Sequence, residues 1–149
     1  EMARSGISGV CVEEVVPGGG CMPWMVENPG RPMMKMGSMA GRVAYEDGSV
    51  YCGVKAAEKS ITQTLRLELN GTGVRVGTLD PGLAETEFSI VRFKGDSEKA
   101  AKAYEGIDPL VAEDIAEAMI WMATRPPHVC IDEILIKCKI GRASCRERV

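Results

Sequence analysis

Apolar residues recur at Val50, Val54, Ala57, Ile61 and Leu65. That is the spacing of one helical face, so it predicts a helix from about Ser49 to Asn70 whose stripe is mostly core. Apolar runs on either side, Met33 to Met36 and Val74 to Leu79, are short enough to be strands. A looser segment continues through Lys94. Helices are then predicted from about Glu98 to Tyr104 and from Ala112 to Thr124, the second closed by Arg125-Pro126-Pro127, where proline cannot continue the ladder. A weakly alternating strand is predicted at Glu133 to Lys137. Strand, helix, strand in that order is a βαβ unit, and ligands of open α/β sheets bind just beyond the carboxyl ends of the strands. The first thirty residues read differently. Pro17, the run Gly18-Gly19-Gly20, Pro23, Pro29 and Gly30 punctuate them as loop, and the glycine run has neither dinucleotide-fingerprint spacing nor a Walker lysine.

Candidate chemistry falls at the predicted strand ends. Tyr51 and Lys55 are one helical turn apart, Ser38 follows the first strand, and Asp80-Pro81-Gly82 follows the second. Reducing a carbonyl with a nicotinamide requires a proton donor beside the carbonyl oxygen, and a free phenol, with a pKa near about 10, holds its proton too tightly. An ammonium at i+4 shares the helix face of the tyrosine and favours phenolate. The same lysine can hold ribose hydroxyls of a nucleotide, and the Ser38 hydroxyl can stabilise charge developing on the substrate oxygen.

These residues, with the segments Gly37 to Lys55, GTGVRVGTLDPGLAETEFSIVRFKGD from Gly71 and YEGIDPLVAEDIAEAMIWMATRPPHV from Tyr104, resemble the C-terminal half of the short-chain dehydrogenases/reductases. The resemblance runs over roughly Pro23 to Ile136 and is nearest to the NADP-dependent 3-hydroxy acid dehydrogenase branch, which includes serine dehydrogenase and malonic semialdehyde reductase. It implies an α/β fold, a truncated Rossmann-type doubly wound parallel sheet made of the last three strands and their helices. It also implies catalysis by Ser38, Tyr51 and Lys55, and a nicotinamide cofactor, NADP or NAD, contacted by Tyr51, Lys55, the backbone of Pro81, Gly82 and Leu83, and Thr86. The substrate would be a small 3-hydroxy acid or 3-hydroxy amino acid, contacted by Ser38. Arg92, in the segment that forms the family's substrate lid, is a candidate partner for a substrate carboxylate, against the ordinary reading of a solvated arginine. The family resemblance further implies a homo-oligomer whose subunits meet partly through the Tyr51 helix.

The departures from that pattern are equally specific. No three glycines have the G-x-x-x-G-x-G spacing of the family's nucleotide loop, the Asn-Asn-Ala-Gly turn is missing, and the active-site asparagine would fall near Cys11. Lys35 replaces a small polar residue ahead of Ser38. The chain has 149 residues, whereas single domains of this kind run to about 250. We therefore expect an irregular segment at 1–30, the C-terminal part of a dehydrogenase domain at 31–137, and a non-native tail at 138–149, where IGRASCRERV resembles a translated sequencing adapter. Loss of neighbouring strands would leave Met33 to Met36 as an unpaired edge, so the chain alone is expected to be unstable and without turnover. A second reading stays open, in which an inactive relative acts only by subunit association.

Composition narrows the partners. A net charge of -3 and a pI near 5.3 argue against a nucleic-acid surface. No apolar run approaches a bilayer span and no signal peptide is evident, so the expected location is cytoplasmic, with no membrane partner. The six cysteines contain no C-x-x-C pair, and His128 is not at zinc-finger spacing from any of them, so no metal site is expected.

Overall fold

The computed structural model describes residues 11–13, 22–92, 94–102 and 104–139. Strand β1 (Cys11–Glu13) and helix α1 (Met22–Glu27) precede β2 (Pro32–Met36), a single 3-10 turn at Met39–Gly41 and the long helix α2 (Ser49–Glu68). Then come β3 (Arg75–Pro81), α3 (Glu87–Arg92), α4 (Ser97–Lys102), α5 (Ala112–Ala123) and β4 (Glu133–Ile136). The strands form one sheet in the order β1-β2-β3-β4, every neighbouring pair parallel. Met33 pairs with Val76, Met36 with Leu79, and Leu79 with Ile134, which brings the carboxyl ends of β2, β3 and β4 to one edge of the molecule.

Successive side chains of a strand point to opposite sheet faces, and the core divides accordingly. On one face Met33 and Val76 pack with Met25 of α1 and Leu69, just past the end of α2. On the other, Met34 and Leu79 pack with Met122, Ile115, Ala118 and Met119 of α5 and with Ile134 and Ile136. The sheet is thus sandwiched between α2 and α5, the layering that parallel strands require.

Several expectations are corrected. The segment expected to be irregular contains β1 and α1; Met25 is fully buried against Met33, Leu69 and Val76, and that burial overrides the surrounding loop punctuation. Pro23 lies in the first turn of α1, where a missing N–H leaves no helical bond unmade. Because β1 pairs with β2 through Cys11↔Met33, Val12↔Met34 and Glu13↔Lys35, that stretch is not the bare edge of a three-strand sheet. The third correction concerns α2. Val50, Val54 and Ile61 are 79%, 47% and 44% exposed, Ala57 is also exposed, and the buried residues of the helix are Cys52, Glu58 and Thr62. Helical periodicity locates a stripe but does not say which side meets the sheet. The sheet face under α2 presents Lys35, Thr78 and Asp80, all buried, and these polar partners draw in the polar face. The segment expected to be loose before Lys94 includes the short helix α3. Of the tail expected to be non-native at 138–149, Cys138 and Lys139 are described, with Cys138 buried, and residues 140–149 lie outside the described residues.

Candidate active site

Two close approaches build the site's floor. A Cβ on Gly37 would lie 1.9 Å from Asp80 Oδ1, so only glycine lets the chain leave β2 beside β3. A Cβ on Gly41 would lie 2.7 Å from the Lys55 carbonyl oxygen, so a second glycine lets the 3-10 turn rest on α2. Between them, Ser38 is extended, and its Oγ accepts a hydrogen bond from Ala40 N at 3.1 Å, capping the turn.

Tyr51 and Lys55 lie in the first two turns of α2, both half-buried. Lys55 Nζ donates to Glu58 Oε2 at 2.7 Å and to the Met36 carbonyl at 3.4 Å. The Tyr51 ring meets Phe88 of α3 with centroids 5.8 Å apart and planes tilted by 44°. The Lys55–Met36 bond sets α2 against the carboxyl end of β2, which Ser38 follows, but no hydrogen bond joins the side chains of Ser38, Tyr51 and Lys55 to one another. Serine is held by its own turn, lysine by a carboxylate, and tyrosine by an aromatic contact.

The loop after β3 forms the opposite wall. Gly82 N donates to Ile136 O at 2.8 Å, Leu110 N to Leu83 O at 3.1 Å, and Glu85 N to Leu110 O at 2.8 Å. Thr86 Oγ1 accepts from Phe88 N at 3.3 Å at the start of α3. Tyr104 OH donates to Ala84 O at 2.9 Å and shares a hydrogen bond with Ser89 Oγ, which pins α3 to the loop. Arg92 closes α3, and its side chain lies outside the described atoms.

Beneath the site runs an ionic crosslink that sequence reasoning missed. Arg42 donates from Nε to Asp80 Oδ2 at 2.7 Å and from Nη2 to Glu133, joining the turn after β2 to β3 and β4. Gln63 of α2 also donates to Glu133, at 3.1 Å. The hydrogen bond from Arg42 holds the Glu133 carboxyl below its ordinary range against the opposing effect of burial, with Gln63 and the charge of Lys59 adding to it. Glu58 was missed too. Its only sequence signal is the i,i+3 spacing from Lys55, a common helical pairing. Phe88 carried no signal.

The short chain dehydrogenase family profile matches residues 15–96, more than half of the chain. This chain belongs to that family. The NADP-dependent 3-hydroxy acid dehydrogenase of Schizosaccharomyces pombe is 46% identical over 104 residues, covering 70% of this chain and 40% of that protein. The enzyme of the same name, YdfG, from Salmonella typhi is 47% identical over 114 residues, covering 76% of this chain and 46% of that protein. Among solved structures, the closed form of serine dehydrogenase complexed with NADP+ superposes with a TM-score of 0.76 at 40% identity, covering 85% of this chain and 53% of that one. The chain spans less than half the length of these two curated relatives.

Proposed function

We propose that this chain is part of an NADP-dependent oxidoreductase that transfers hydride between nicotinamide and a small 3-hydroxy acid or 3-hydroxy amino acid. The observation that carries the reading is the bond from Lys55 Nζ to the carbonyl of Met36, the last residue of β2, which sets the helix carrying Tyr51 and Lys55 against the strand end that leads to Ser38. The donor set suits the nicotinamide end of a dinucleotide: an ammonium at Lys55 for ribose hydroxyls, backbone groups of Pro81, Gly82 and Leu83, and a hydroxyl at Thr86 for a carboxamide. When bound, the cofactor supplies or accepts the hydride. The chain's own groups handle the proton and the oxygen. Tyr51 OH gives its proton to the carbonyl oxygen in reduction and withdraws it in oxidation, and the Ser38 hydroxyl donates a hydrogen bond to the same oxygen. Ser38 Oγ can donate this bond while still accepting from Ala40 N.

Substrate choice follows the two curated relatives, named for 3-hydroxy acids, and Arg92 is the proposed carboxylate partner. The sequence offers no G-x-x-x-G-x-G loop, so the chain alone is proposed to be inactive. We further propose a cytoplasmic homo-oligomer, a reading favoured by the exposed Val50, Val54 and Ile61 on α2. No helix among the described residues is long and apolar enough to cross a membrane. The test compares NADPH formation from serine and other 3-hydroxy acids by this chain alone and by the complete enzyme that contains it. Turnover only by the complete enzyme is expected. Its absence there overturns the dehydrogenase reading and leaves the association-only reading standing.

A further inference from the structure

We propose that Glu58 is a positioning residue that fixes the ammonium of Lys55 at the candidate site; the inference rests on the functional reading above. Lysine ends in a compact charge on a flexible four-carbon stem with three donors. Nothing in the spacing of Tyr51 and Lys55 alone decides where that charge sits. Here two of the donors are assigned. Glu58 Oε2 takes one at 2.7 Å, the length of a charge-assisted bond, and the Met36 carbonyl takes another at 3.4 Å. The side chains of the pair are only 11% and 10% exposed, so water competes weakly and neither charge is satisfied elsewhere without cost.

The surroundings single out Glu58 as the partner. Asp80, a carboxylate on the sheet face under α2, is already held by Arg42. Glu133 is held by Arg42, Gln63 and more distantly by Lys59, at 4.0 Å. The helix turn that carries Glu58 is held by the fully buried Thr62, whose hydroxyl donates to the Glu58 backbone carbonyl at 2.9 Å. Glu58 itself borders a small cleft that it shares with Lys35, Met36, Thr62, Thr78 and Asp80. The helix therefore carries a relay of position, in which Thr62 fixes the Glu58 turn, Glu58 fixes the Lys55 ammonium, and Lys55 presents its remaining donor on the helix face it shares with Tyr51. The Met36 bond ties that arrangement to the strand leading to Ser38.

The test reads lysine directly in the complete enzyme that contains this chain, without nucleotide or substrate. In labelled protein, NMR should detect coupling across the hydrogen bond between Lys55 Nζ and the Glu58 carboxyl carbon. Acylation followed by mass spectrometry should show Lys55 reacting more slowly than exposed Lys99. Glu58→Gln should speed acylation of Lys55 about tenfold, the size expected for loss of one charge-assisted bond, with Lys99 unchanged and Glu58→Asp restoring most of the protection. An unchanged Lys55 rate in folded Glu58→Gln overturns the proposal. Should that variant unfold, seen as buried Lys35 becoming reactive, the coupling in the unmutated enzyme decides: its presence supports the proposal and its absence overturns it. In turnover by the same enzyme, Glu58→Gln should lower kcat with KM little changed and Glu58→Asp should recover it; an unaltered kcat also overturns the positioning role. Failure of the dehydrogenase reading would appear separately, as no turnover from the unmutated enzyme while the lysine measurements still hold.

Discussion

The two sides of α2 reverse the usual arrangement. Its outward side carries Val50, Val54 and Ile61 in the open, while its inward side buries Glu58 and Thr62 and half-buries Lys55 against a sheet face that itself holds Lys35, Thr78 and Asp80. The opposite face of the same sheet is conventional, with Met34, Leu79 and Met122 in a wholly apolar contact. One face of the sheet thus packs apolar side chains against α5, while the other joins the Met33–Val76 cluster to buried polar groups toward the carboxyl ends of its strands. A polar interface between helix and sheet contributes little net stability even when every group is satisfied, but it fixes geometry, because each misplaced charge is costly.

The largest effect on folding should come from splitting the ion pair. Glu58→Ala leaves the Lys55 ammonium buried without its carboxylate and should cost about 3–5 kcal/mol in urea unfolding, whereas the double change Lys55→Met with Glu58→Leu should fall near the unmutated chain. An equal loss in the single and double variants would mean the pair is not coupled. On the apolar face, Leu79→Ala removes a side chain that is 1% exposed and should cost roughly 2–5 kcal/mol, with no effect on Lys55 reactivity. Perturbed lysine reactivity there would show that the two faces are not independent.

A smaller effect is expected from the ionic crosslink. The Glu133 carboxyl is held below its ordinary 4.5 by Arg42. A depressed folded-state value means that its stabilising contribution is fully present above about 4.5, the unfolded value, and is lost as pH falls through the lower folded value. Glu133→Gln should therefore flatten the acid side of the stability profile while leaving the slope near neutrality unchanged. A steepened acid side would reverse the assigned sign. The smallest effect belongs to the outward side of α2, where Val54→Ser should change monomer stability by no more than about 0.5 kcal/mol. A larger loss that grows with protein concentration would show that a second subunit covers this side.

Much of the fold was legible because it depends on local pattern. The span of α2, the strand before Ser38, the strand ending at Pro81 and the proline-stopped α5 lie within a few residues of their predicted bounds. What pattern could not give was orientation and long-range pairing. The stripe on α2 has helical spacing whichever side faces inward, and only the polar residues of β2 and β3 decide the matter. The buried role of Met25 and the pairing of Cys11 with Met33 depend on partners distant in sequence, which loop-forming prolines and glycines disguise. Ser38, Tyr51 and Lys55 could be proposed as a set from the sequence because reactive groups at strand ends and helical spacing are local features. Glu58, Arg42 and Phe88 could not be, since each acts through a contact that looks ordinary in sequence.

The most direct measurement is the turnover of the complete enzyme after Tyr51→Phe, which removes one hydroxyl and keeps the ring against Phe88. NADP-dependent oxidation of the preferred 3-hydroxy acid should fall by about 100-fold or more, as expected for loss of a positioned acid-base group. Turnover within about twofold of the unmutated enzyme, far less than such a group contributes, would contradict the assignment of Tyr51 as the proton donor.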